Sequence, residues 1–172
     1  RRDRVDGVGR DLAAVDGDRD AESHHGTGDA DNDASTYGDA YGNGDDDDYA
    51  KRLAYSYDLA GRLCSAFTPR PLAHQNGQAS LVGAAAAGAR MRRLDAAGVS
   101  LAMRIAATLV LTPSYTGTVA GATALNVAGG MSGFACALAP ELALAGFEAR
   151  EDAIEEALAN LVGDGFRPDG LL

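Results

Sequence analysis

The residue best placed to do chemistry in this chain is His74. It stands in a proline-containing loop, Thr68 to Gly77, just ahead of the small-residue run Ser80-Leu-Val-Gly-Ala-Ala-Ala-Ala-Gly-Ala89. The first backbone N–H groups of a helix have no partner inside it and favour an anion. An imidazole beside them can shuttle protons near neutral pH, which makes His74 the candidate acid/base group. The competing reading is a loop histidine that is either on the surface or satisfied for structure alone.

Other candidates fall short of their motifs. Asp29-Ala-Asp31-Asn-Asp33 opens like a calcium loop, but Ala34 replaces the glycine at its sixth position and Ala40 the glutamate at its twelfth. Non-specific cation attraction is the better reading. His24 and His25 are adjacent and cannot both face one metal from a regular element. Gly7-Val-Gly9 has Leu12 where a dinucleotide fingerprint needs its third glycine. Gly130-Met-Ser132-Gly133-Phe134 misses the nucleophile elbow by one position. Gly117 with Gly121, and Gly129 with Gly133, have the spacing of close helix contacts and read as packing. No metal or cofactor is expected.

Helices must position His74. Gln78 to Arg93 is alanine-rich and free of proline, with Arg90, Arg92 and Arg93 where cations complement a helix dipole. Its small side chains suit close approach of neighbouring backbones, so it should lie in the middle of a bundle. Upstream, Leu53, Tyr57, Ala60, Cys64 and Phe67 recur at helical spacing before Pro69 and Pro71, which predicts an amphipathic helix facing the core through them. Asp95 is the predicted N-cap of a helix from Ala96 to Val110, with Val99, Met103, Ala106 and Val110 as its inner stripe. After a loop from Leu111 to Gly121, a segment from about Asn126 to Ala145 contains Pro140, which predicts a kink or two abutting helices, with Gly146 as the cap. Glu151 to Leu161 reads as a short amphipathic helix ended by Gly163-Asp-Gly165. No stretch alternates with a period of two, so the expected fold class is all-α.

Charge divides the chain. Residues 1–49 hold fifteen acidic and five basic side chains, whereas residues 50–172 hold ten of each. The expected organisation is therefore an acidic, disordered tail over 1–48 ahead of a neutral helical domain over 49–172, because the Asp/Gly-rich part has too little apolar surface to offset its ordering entropy. Without a clustered cationic face, no nucleic-acid partner is expected. Cys64 and Cys136 are too few for a disulfide framework, and no leader pattern opens the chain, so the expected compartment is the cytoplasm. Gly121 to Phe147 is long, but it is dominated by Ala and Gly and interrupted by Asn126, Pro140 and Glu141. It reads as a buried helix, with no membrane partner.

The order of the segments carries a resemblance. Tyr49 to Leu63 comes first, then His74 nine residues before Gly83-Ala-Ala-Ala-Ala87. Leu94-Asp95 leads to Arg104-Ile-Ala-Ala-Thr108, and Gly121-Ala-Thr123 with Asn126-Val127 leads to Ala145-Gly-Phe147. Over about residues 49 to 166 this resembles the helical domain of the MmgE/PrpD (2-methylcitrate dehydratase) family. The resemblance implies a helical main domain, usually followed by a smaller α/β lid, in cofactor-independent and typically dimeric lyases acting on small polycarboxylates. His74 matches the family's loop histidine. Asn76 stands where the family has threonine, and Leu125 and Ala128 stand where it has a basic residue and a histidine or tyrosine. The chain ends near where the lid would begin. Two expectations follow: a fragment or diverged lyase acting on a polycarboxylate such as 2-methylcitrate through His74, or a non-catalytic, homo-oligomerising helical module without the lid.

Overall fold

Small side chains decide how closely the helices of this protein approach one another. A computed structural model describes residues 46–75 and 77–171. The acidic segment assigned to 1–48 lies outside them except for its last three residues, which begin the first helix, and Asn76 also lies outside. In chain order the elements are α1 (Asp46–Ala66), β1 (Phe67–Pro69), α2 (Ala79–Met91), α3 (Ala96–Thr108), α4 (Tyr115–Val119), α5 (Leu125–Leu144) and α6 (Ala153–Glu155). A π-helical segment (Glu156–Leu161), β2 (Gly163–Phe166) and a 3₁₀ turn (Pro168–Leu171) complete them.

As its composition predicts, α2 is the central helix, packed against α1, α3 and α5. Its two sides serve two cores. Val82, Ala86 and Ala89 join Leu59, Leu63, Met103 and Leu158, while Leu81 and Ala85 join Ile105, Ala106, Ala135 and Ala139. Gly83 makes the approach to α1 possible: a Cβ there would stand 2.6 Å from the Ser56 carbonyl oxygen and 2.9 Å from the Ala60 nitrogen. Any side chain at this point would push the two helices apart.

The buried face of α1 differs from the predicted one. Leu53, Tyr57 and Cys64 are exposed, and the helix buries Leu59, Leu63 and Ala66 instead. Of the predicted set only Ala60, which meets Gly83 of α2, and Phe67, just past the helix in β1, face inward; the glycine notch of α2 draws the Ser56 and Ala60 backbone against it. The prediction for α3 holds except at its end: Asp95 accepts a hydrogen bond from Gly98 N at 2.8 Å and Val99, Met103 and Ala106 are buried, but the helix stops at Thr108 and Val110 is half-buried beyond it.

The fold is largely helical, but it is not purely so. β1 and β2 form a two-stranded antiparallel sheet pairing Phe67 with Phe166 and Pro69 with Gly163. Arg70 fastens this strap: its backbone N donates to Val162 O (2.9 Å), and its guanidinium reaches Asp164 Oδ1 (2.9 Å) and Asn160 O (2.9 Å). The C-terminal segment is thereby held over the end of α1, where it supplies Leu158, Val162 and Leu171 to the first core.

The long apolar segment also departs from expectation. α5 runs as one helix through Pro140, and only Ser132, Ala135, Ala139 and Pro140 are buried along it. It is a peripheral helix rather than a buried one, although it is long and apolar enough to cross a membrane. It ends as predicted. Gly146, at φ 81°, donates to Ala143 O and Phe147 to Leu142 O, a Schellman closure that needs a left-handed residue at this position. Gly129 and Gly133 meet nothing within 4 Å, so their spacing does not serve packing inside the chain.

Candidate functional site

The loop before α2 is fixed from two directions. Ala73 bridges to Ser114, His74 N donates to Pro113 O (2.9 Å), and Tyr115 N donates to Leu72 O (2.9 Å). This pairing draws the start of α4 over the loop and stacks Tyr115 on His74, with ring centroids 6.0 Å apart and planes at 28°. His74 is buried as a result, at 7% exposure. The predicted acid/base residue is therefore an interior histidine, covered by an aromatic ring.

Two further polar residues are buried beside it. Gln78, fully buried at the N-cap of α2, donates from Nε2 to the His74 carbonyl oxygen at 2.8 Å, and its Oε1 has no partner. Ser132 of α5 meets the loop where Gly77 turns at φ 85°, for a Cβ on Gly77 would stand 2.3 Å from Ser132 Oγ. Ser132 itself donates to Ala128 O at 3.0 Å. His74, Gln78 and Ser132 are thus three of the four buried polar side chains among the described residues, and all three gather at the start of α2.

No side chain of Gln78 caps α2, and its first residue, Ala79, is buried. Ser80, the next residue, is exposed, so the start of α2 is only partly covered. Leu125 and Ala128, at the start of α5, bring neither charge nor a proton carrier. The sequence did not single out Tyr115 or Gln78, and it raised Ser132 only as part of a failed nucleophile elbow, because each comes near His74 through the loop pairing or the close approach at Gly77.

Elsewhere, a cleft of about 250 Å³ lies between the end of α3 and the π-helical segment, lined by Thr108, Thr112, Arg150, Glu156, Ala157 and Leu161 among others. His74 does not line it. Its polar rim is satisfied internally: Arg150 pairs with Asp152 (2.6 Å) and Glu156 (3.2 Å), and Thr108 Oγ1 donates to Ile105 O (2.6 Å). Partial desolvation pushes the half-buried Cys136 thiol, and the Cys64 thiol although that residue is largely exposed, up from the ordinary value, which disfavours the reactive thiolate. Among the described residues no group of three or more His, Cys, Asp or Glu could hold a metal ion. The calcium-like stretch and the histidine pair at 24 and 25 lie outside them.

An accessible apolar stripe lies on the outer side of α5. Val127, Met131 and Phe134 are 64%, 47% and 60% exposed. At about 100° per residue they fall within roughly 60° of arc. Gly130 and Gly133, also exposed, flank them on one side.

No protein-family model, curated protein or solved structure matches this chain.

Proposed function

We propose that this chain is a non-catalytic helical interaction module, with the outer side of α5 as its docking surface. The observation behind this reading is the stripe of Val127, Met131 and Phe134, left exposed on a helix whose opposite side is packed into the second core. Large contiguous apolar patches are uncommon on monomers and mark places where another surface binds. An environment-sensitive apolar dye should bind the purified chain and lose most of its fluorescence in Phe134→Asp. A wild-type chain that does not bind the dye would remove the reading.

A second reading rests on the buried cluster at the start of α2 and on the family resemblance. In it the chain is a polycarboxylate lyase, and His74 moves the proton next to a substrate carboxylate, with the α2 N–H groups opposing the developing charge. Tyr115 would have to swing off the imidazole to admit the substrate. Turnover of 2-methylcitrate or cis-aconitate by the full chain, reduced at least about a hundredfold in His74→Ala, is the result this reading requires. Absence of turnover in the wild type removes it and leaves the interaction module standing.

A further inference from the structure

We infer that the cleft between the end of α3 and the π-helical segment binds a small organic ammonium ion that carries a single aromatic ring. Neither His74 nor any residue of the α5 stripe lines it, so the inference stands apart from both readings above.

Small side chains make the space. Ala107 and Val110 line it from the α3 side, and Ala153, Ala157 and Val162 from the C-terminal segment, with Leu161, 64% exposed, at its lip. A π-type turn widens this second wall: Val162 N donates to Ala157 O, five residues back, at 3.0 Å. Such turns recur at functional sites. The cleft measures about 250 Å³. A cavity of about 150 Å³ holds benzene, so this one has room for a ring and a short arm, and it falls below the roughly 300–1,000 Å³ of pockets for larger ligands.

Charge selects a cation. Between Glu148 and Val162 the chain carries five acidic residues and one basic residue, Arg150. Arg150 pairs with both Asp152 and Glu156, which leaves one negative charge over at the rim. These pairs are exposed and weak, and a carboxylate can accept from further donors besides Arg150. Ala107 and Thr108 bring the C-terminal end of α3, the negative pole of its dipole, to the same cleft, and the last turn of that helix holds no basic residue. Arg104, one turn earlier, does not line the space. The Thr108 hydroxyl gives its hydrogen to Ile105 O and so has only lone pairs to offer. An ammonium beside Glu156 and Thr108 therefore finds acceptors. A carboxylate there would meet another carboxylate and the wrong end of a dipole.

Titration of the isotope-labelled full chain with phenethylammonium, followed through its amide chemical shifts, tests this. Saturable shifts are expected at Thr108, Thr112, Ala153, Ala157 and Leu161, on the order of millimolar for so small a ligand. Neutral phenethyl alcohol should bind at least about fivefold more weakly, and phenylpropionate more weakly still. Thr112 is an exposed loop residue lining the cleft, so Thr112→Trp should close it and weaken the ammonium at least about tenfold with an unchanged circular dichroism spectrum. Glu156→Gln keeps the shape and removes a charge, and should narrow the preference for ammonium over alcohol. Absence of saturable shifts in the wild type overturns the inference, as does equal affinity for the ammonium and the alcohol, or undiminished binding by Thr112→Trp. An unaltered preference in Glu156→Gln overturns it independently. Shifts confined to Val127, Met131 and Phe134 would overturn it as well, marking adventitious adsorption on the α5 stripe.

Discussion

Glu155 lies in α6, half-buried between Asp152 and the π-helical segment. Burial, and then the neighbouring Asp152, push its carboxyl above the ordinary glutamate value. The folded state thus holds the Glu155 proton more tightly than the unfolded chain does. Stability linked to this group is fully present below the unfolded value of about 4.3 and is lost as pH rises through the folded one. Glu155→Gln should therefore raise the melting temperature at pH 7, and the difference from wild type should vanish below about pH 4. A thermal-melt series across that range checks it, and an equal difference at every pH would refute the linkage. His74 marks how much of the candidate site could be read in advance. Its loop position followed from the prolines before it and the alanine run after it. Its burial did not, because that depends on Tyr115, brought back by main-chain pairing of Leu72 and Ala73 with Ser114 and Tyr115.

Helix boundaries were set by local chemistry, and helix faces by partners. The Asp95 cap, the proline-free alanine run and Gly146 act within a turn of where they stand; the cap and Gly146 fall where the sequence predicts, while the alanine helix ends at Met91, leaving only Arg90 of the three arginines in its last turn. The inner face of α1 was decided instead by a residue on another helix. Gly83 lets the α1 backbone come so near that the Ser56 and Ala60 side of α1 turns inward, leaving Leu53 and Tyr57 outside. The small sheet escaped notice because its strands have three and four residues, too few to display a period of two, and pair across most of the domain. The α1–α2 contact gives the sharpest test at this scale. Gly83→Val forces its Cβ into the Ser56 carbonyl and should destabilise the fold by about 2–4 kcal/mol, read as a fall in the denaturant midpoint. Gly61→Val, at a position in the same contact pair of helices with nothing within 4 Å, should cost much less.

Over the whole molecule, what matters is whether the C-terminal segment is an appendage or part of the fold. Arg70 bonds it to the loop after β1, Arg62 reaches the Leu171 carbonyl at 3.0 Å, and Phe67 pairs with Phe166. These polar links are mostly exposed and individually weak. The greater contribution is apolar, since Ile154, Leu158 and Val162 pack among Leu59, Leu63, Val99 and Met103. A core assembled from both ends of the described chain should unfold in a single step. Leu158 has no exposed surface and sits in that shared core, so Leu158→Ala should cost about 2–5 kcal/mol, the usual range for a buried leucine truncation. Domains of this kind hold only about 5–15 kcal/mol in total, so the loss should lower the melting temperature by many degrees. Loosening should reach α1 as well as the segment that carries the mutation. Hydrogen exchange resolved by peptide distinguishes the outcomes: faster exchange in both α1 and residues 153–171 is expected. Acceleration confined to residues 153–171 would mean that the strap unfolds by itself and that the helices hold together without it.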